Sequence, residues 1–194
     1  MAKAARPGAI TPGRKPPVGR TAVIYSAAIS LDGFIADARG GVDWLHAAMV
    51  PGEGYGLEAF TASIDAVLMG SRTYEKALEL GDPGAGSSMP WWVFSRREFK
   101  SKGTMTVTDA DPSAIVGELP ARGIWRAWLM GGGKLASSFL AAGLIDEMAL
   151  GVMPVLLGEG IPLFEGGIPV THLELVESKT YKGGALGLTY RLKP

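Results

Sequence analysis

The sequence predicts an α/β domain of three layers, with helices on both faces of a mostly parallel mixed sheet that ends in antiparallel strands. Three observations carry this. Between Thr21 and Ala142, apolar runs rich in β-branched residues alternate with segments of helical spacing, the signature of strand-helix-strand units. The last fifty or so residues abandon the helical spacing for three strand-like segments, the pattern of antiparallel additions at one edge. A chain of 194 residues with 47% hydrophobic composition can bury one sizeable core, and this length fits one domain better than two.

The elements follow in order. Thr21 to Ile29 (TAVIYSAAI) reads as a buried strand closed by the Asp32-Gly33 turn, with a short continuation over Phe34 to Ala36. Asp37 to Gly41 is loop chemistry, and Val42 to Leu45 opens a helical or irregular piece. After a flexible stretch marked by Pro51, Gly52, Gly54 and Gly56, Leu57 to Ser63 is a short helix feeding a strand at Ala66 to Met69. Ser71 to Leu80 has helical spacing, Asp82 to Met89 is a loose surface loop, and Trp91 to Phe94 is a strand. Thr104 to Thr108 alternates like a strand, and Asp111 to Leu119 is a helix with an acidic N-cap and Pro112 at its first position. Ile124 to Met130 is a strand, and Lys134 to Ala142 is a helix closed by Gly143. Glu147 to Leu157, Leu173 to Lys179 and Leu186 to Leu192 are the terminal strands.

Composition excludes several function classes. There is no cysteine, which removes disulfides, thiol catalysis, iron-sulfur clusters and cysteine-based zinc sites, and His46 and His172 are too few and too separated for a histidine metal centre. No metal site is expected. Five of the 19 basic residues and none of the 19 acids lie in the first twenty positions, so the body from Thr21 onward is about five charges negative and is a poor match for nucleic acid. Those twenty residues, with four prolines and no apolar run, are expected to form a disordered basic tail before a domain spanning 21–194. Neither a secretory signal nor a membrane span is found, so a soluble, cytoplasmic protein is expected.

The strongest local signal is Trp128-Leu-Met-Gly131-Gly132-Gly133-Lys134-Leu135, an apolar strand running into three glycines that open a helix. Residues without Cβ let backbone N–H groups approach a ligand, and the helix N-terminus adds about half a positive charge, which suits a pyrophosphate. The match to G-x-G-x-x-A through Gly131, Gly133 and Ala136 lacks the acid expected about 20 positions on, and a P-loop fails because Leu135 follows Lys134. A second strand-to-helix junction places Gly70, Ser71, Arg72 and Thr73 at a helix start, and a third ends Val93-Phe94 with Ser95, Arg96 and Arg97. Each of these has a plain reading as an N-cap or a solvated strand end. Three such ends in one parallel sheet would line one edge, where open α/β sheets bind ligands, and together they suggest an anion with several phosphates.

Ser30-Leu-Asp32-Gly33-Phe-Ile-Ala36, Asp43-Trp44, Met69 to Glu75, Phe94-Ser95-Arg96, Met130 to Gly133, and Gly143 to Glu147 with Pro154 to Gly160 together resemble the ordered motifs of the dihydrofolate reductase superfamily. Within it the chain is most similar to the C-terminal reductase domain of the bifunctional riboflavin-biosynthesis deaminase-reductase, from Thr21 to Leu192, as a stand-alone relative. The resemblance implies a dihydrofolate-reductase-like fold and an NADPH cofactor. Ala28, Gly131, Gly132, Gly133 and Leu135 would meet its nicotinamide and pyrophosphate parts. Gly70, Ser71, Arg72 and Thr73 would hold phosphates, and Ser95 and Arg96 would sit at the adenosine 2′-phosphate. The family carries a basic residue where this chain has Ser71, so Arg96 or Arg97 would have to supply that charge.

On the substrate side, Asp32 and Trp44 would form the pocket floor and its covering loop. Asp32 and Glu58, with Glu53 beside them, are the candidate proton-handling carboxylates, although Asp-Gly is also ordinary turn chemistry. The implied activity is hydride transfer from NADPH to a small pteridine- or pyrimidine-like heterocycle, of the 5-amino-6-(5-phosphoribosylamino)uracil reductase type. A dihydrofolate reductase and a catalytically silent NADPH-binding protein are the alternatives. An apolar edge on the terminal strands suggests a homodimer.

Overall fold

A computed structural model of the chain describes residues 19–81, 88–99 and 103–193. Most of the tail predicted over 1–20, and most of the loop predicted over 82–89, lie outside these residues. Arg20, grouped with the tail in the sequence, is instead bound to the half-buried carboxylate of Asp146, which also accepts the Val23 N–H at 2.8 Å. Burial pushes the Asp146 carboxyl above its usual range, against the lowering effect of these two donors.

The sheet has eight strands: β1 (Ala22–Ser30), β3 (Ala66–Gly70), β4 (Trp91–Phe94), β5 (Met105–Thr108), β6 (Arg126–Gly131), β7 (Glu147–Met153), β9 (Leu173–Thr180) and β10 (Leu186–Leu192). Their order is β5-β4-β3-β6-β1-β7-β10-β9. The six from β5 to β7 are parallel, whereas β10 runs antiparallel to both β7 and β9. The switch follows from the connections. β9 and β10 are joined through residues 181–185 alone, a connection that can link only antiparallel neighbours, whereas the parallel strands are linked by longer crossovers, most of them helical.

Among the described residues, the α-helices α1 (Asp43–Ala48), α2 (Leu57–Ala62), α3 (Ser71–Glu79), α4 (Pro112–Glu118) and α5 (Gly133–Ala141) cover the two faces. The alternation of β1 sorts the core. Val23, Tyr25 and Ile29 join Ile115 and Val116 of α4 and Phe139 and Leu140 of α5, while Ala22 and Ile24 meet Phe60 of α2 on the other face. Tyr74 of α3 packs with Val67, Met69 and Val93 in a third cluster. The predicted cap of α4 is present, with the Asp111 carboxylate accepting the Ser113 N–H at 2.8 Å behind Pro112.

Two expectations change. The strand predicted over Glu147 to Leu157 stops at Met153, because Pro154 has no N–H to offer the ladder and the chain turns so that the Val155 carbonyl can accept from Leu31. A two-residue strand, β8 (Ile161–Pro162), which the sequence reading missed, pairs with β2 (Phe34–Ala36) as a separate ribbon. Two residues carry too little periodicity to be read in advance.

Phe139 is fully buried and meets the Phe94 ring edge-on at 5.6 Å, locking α5 to β4. Phe139→Ala should lower unfolding free energy by about 3–5 kcal/mol in urea denaturation, through lost burial and the cavity left behind.

Candidate functional site

Parallel strands bring their C-terminal ends to one edge, and two cavities open along it. The larger, of about 570 Å³, lies over the ends of β3, β4, β5 and β6. The smaller, of about 240 Å³, lies beside it over β1, β7 and β10, roofed by α1 and α2. Among the described residues, none lines both.

The larger cavity is where the three predicted junctions converge. Gly70, Ser71, Arg72 and Thr73 from the start of α3, Ser95, Arg96 and Arg97 from the end of β4, and Gly132 and Leu135 from the start of α5 all line it. Their closeness is direct: a Cβ on Gly132 would lie 3.4 Å from the Thr73 Oγ1. Gly131 has φ +113°, a backbone state side chains rarely adopt. Gly133 is needed for a different reason. The segment from Pro162 to Glu165 presses against the start of α5, where a Cβ would come within 2.4 Å of the Pro162 carbonyl oxygen. That segment is held by Tyr25 Oη donating to the Leu163 carbonyl at 2.8 Å, by Leu163 N–H donating to Gly33, and by Glu165 N–H donating to Gly133.

Electrostatically this cavity suits polyanions. Arg72, Arg96, Arg97 and Lys134 face Asp109, Asp111 and Glu165, and the Asp111 carboxylate is already committed to its helix cap. Hydrogen bonds from Ser113 hold the Asp111 carboxyl below the usual carboxylate range. Arg97 is pre-positioned: its Nη2 donates to Glu75 at 2.9 Å and to Ser71 Oγ at 3.2 Å, and its guanidinium lies 5.3 Å from the Phe99 ring centre. A guanidinium therefore stands against Ser71, the position where the family resemblance implies a basic residue. The starts of α3 and α5, both nine-residue helices, add their dipoles.

The smaller cavity is apolar. Ala27 and Ala28 of β1, Trp128 of β6, Leu150 of β7 and Leu188 of β10 form its floor, and Leu45, Met49, Leu57 and Phe60 its roof. Trp128 is fixed by its indole N–H donating to the Ser26 carbonyl at 3.1 Å. Tyr55 and Tyr181 form one wall with ring centres 5.3 Å apart, and the Tyr55 Oη accepts the Val50 N–H. Burial raises the Tyr181 phenol pKa, with the Glu177 and Glu53 carboxylates adding to the rise. Glu177 and Lys179 of β9 are the charged groups in the lining.

Ala28 thus lies in the smaller cavity and Gly131 and Gly133 line neither, while the other predicted cofactor contacts line the larger one. The substrate-side candidates are placed differently from the sequence reading. Asp32 is exposed and lines neither cavity; its carboxylate accepts from Ser30 Oγ at 2.6 Å, from Gly158 N–H at 2.7 Å and from Leu157 N–H. Those donors, Ser30 foremost, hold its pKa down and make it a clamp on the 157–158 turn. Glu58 is exposed on α2 and Glu53 is half-buried, both outside the lining, and Trp44 lies one residue before the lining Leu45. The carboxylate that does reach the cavity, Glu177, is not among the candidates the sequence offers. Its signal was Glu177 and Lys179 two apart on a strand, which puts both on one face.

The sequence matches the family model for the RibD C-terminal domain over residues 21–186. Two Bacillus subtilis proteins are similar along most of their length: YyaP is 30% identical, covering 87% of this chain and 93% of that protein, and YwjB is 32% identical, covering 88% and 97%. Among solved structures, a protein from Shewanella sp. PV-4 named for riboflavin biosynthesis superposes with a TM-score of 0.80 at 30% identity, over 90% of this chain and all of that one. The diaminohydroxyphosphoribosylaminopyrimidine deaminase/5-amino-6-(5-phosphoribosylamino)uracil reductase of Thermotoga maritima shares the fold, with a TM-score of 0.67 at 20% identity, over 90% of this chain and 57% of that one.

Because the folded Asp32 carboxyl has a lowered pKa, its clamp contributes stability above the ordinary aspartate pKa of about 3.9 and loses it as pH falls through the lower folded value. Asp32→Asn should therefore melt below wild type at pH 7, and the gap should close as pH drops below about 4, as read by thermal denaturation across pH.

Proposed function

From the premise that this chain belongs to the RibD C-terminal domain family, we propose that it is an NADPH-dependent reductase acting on a small pteridine- or pyrimidine-like heterocycle. The observation that carries the reading is the pairing of a cationic cavity, built from three strand-to-helix junctions, with an apolar cavity on the neighbouring strands.

The donor set of the larger cavity fits the cofactor. Backbone N–H groups at the starts of α3 and α5 would take the pyrophosphate, and Arg96 with the docked Arg97 would take the 2′-phosphate. NADPH supplies a hydride for an electron-poor C=N or C=O carbon; a proton completes the reduction at the adjacent nitrogen or oxygen and NADP⁺ remains. The chain's own contribution is positional. Ala27 and Ala28 leave room above β1 for flat rings, Trp128 and Phe60 wall off water, and Glu177 accepts a ring N–H or holds the proton at its carboxylate. The proposed partner is a second copy of the chain: Leu173, Leu175 and Val176 of the edge strand β9 are 38%, 53% and 46% exposed, an apolar edge that pairing would cover.

Purified protein mixed with NADPH should consume it, followed at the nicotinamide absorbance band, when given one of a panel of dihydropteridines, dihydrofolate and 5-amino-6-(5-phosphoribosylamino)uracil. Saturable NADPH binding with no consumption across the panel would favour a binding protein instead. Arg96→Ala should weaken NADPH roughly tenfold or more and leave NADH within about twofold, since one 2′-phosphate contact separates the two; equal losses would contradict the assignment. Glu177→Gln should lower kcat/KM about tenfold with cofactor affinity unchanged. Size-exclusion chromatography with light scattering should give twice the 20.3 kDa chain mass, and a one-chain mass would rule out the homodimer.

A further inference from the structure

Resting on the reductase reading, we infer that the apolar cavity takes a bare, uncharged planar ring and not a phosphorylated one: the natural substrate carries no phosphoribosyl or phosphoribityl arm. Three features of the cavity point the same way.

The first is size. At about 240 Å³ the cavity falls below the ~300–1,000 Å³ of sites that enclose drug-sized ligands, so a flat ring fills it and a sugar phosphate must lie elsewhere.

The second is charge. A phosphate monoester brings close to two negative charges and needs guanidinium groups or a nest of free N–H donors. Lys179 is the single cation in the lining, its ammonium sits 4.8 Å from the Tyr181 ring centre, and Glu177 two residues earlier brings a carboxylate into the same lining. Arginine, the residue suited to planar phosphate recognition, is absent from the lining, whereas the neighbouring cavity holds three.

The third is the backbone. The floor strands β7 and β10 are paired on both sides, so their N–H groups are spent in the sheet, while at Ser26 to Ala28 β1 is paired with β7 and its pairing with β6 ends at Tyr25. At the roof, Leu57 N–H is already bonded to the Gly54 carbonyl at 3.0 Å. A phosphate buried here would meet one ammonium and no guanidinium, too few charged donors for close to two negative charges, which is strongly unfavourable. What remains for recognition is stacking against Trp128, Phe60 and the two tyrosines, with one carboxylate for a ring N–H. The reaction that supplies this substrate must therefore deliver a ring already free of phosphate.

Calorimetric titration of the full chain saturated with NADP⁺ tests this with three probes: lumazine, 5-amino-6-(5-phosphoribosylamino)uracil, and that same compound after phosphatase treatment. The phosphorylated compound should bind at least fivefold more weakly than its treated form, and lumazine should bind measurably. A smaller difference, tighter binding of the phosphorylated compound, or binding of none of the three would overturn the inference. Titration with NADP⁺ alone reports separately on the cofactor reading, and repeating the three probes without nucleotide keeps the cavity result independent of it.

Discussion

Much of this molecule depends on one close contact: the backbone of Pro162 to Glu165 lying against the first residue of α5. It is possible because position 133 has no Cβ, and it is held by the buried Tyr25 hydroxyl reaching the Leu163 carbonyl. The contact fixes the direction in which α5 leaves β6, and with it the direction of the N–H groups at its start. It also carries Glu165 to the rim of the cationic cavity and joins the β2-β8 ribbon to the main sheet. A side chain at 133 would push apart elements that lie about 30 residues distant in sequence.

The two cavities are built by different means. In the cationic one the decisive groups sit at loop tips, and their convergence follows from topology, since parallel strands must end at the same edge. In the apolar one they are side chains on strand faces and on two short helices, set by alternation and by how α1 and α2 rest on the sheet. Strand chemistry at the C-terminal hairpin, where β10 reverses direction, makes the second cavity possible. It supplies a wall that a wholly parallel sheet would need another crossover helix to provide.

That difference explains what could be read in advance. Glycine runs, hydroxyls and arginines at strand-to-helix junctions leave local marks, so the predicted cofactor contacts other than Ala28, Gly131 and Gly133 line one cavity, and the elements from β1 to α5 match within a residue or two. The substrate-side reading rested on Asp32, Glu58 and Trp44, residues early in the chain. Asp-Gly chemistry did what it commonly does and capped a turn, here one 125 residues away. Glu177 shares a strand face with Lys179, a local mark, but its place in the cavity lining depends on β9 pairing with β10 across a bulge at Thr189 and Tyr190, a tertiary register that the local pattern does not carry. The termination of β7 at Met153 is the opposite case: Pro154 was visible and its missing N–H decides the boundary.

The absence, among the described residues, of any shared lining residue between the cavities has an evolutionary reading. Side chains on β9, β10 and the roof helices can be exchanged to reshape the apolar cavity while the groups lining the cationic one stay untouched. A scaffold partitioned in this way lets one half drift under selection for novelty as the other remains under purifying constraint, which would let a single architecture spread across many metabolic niches.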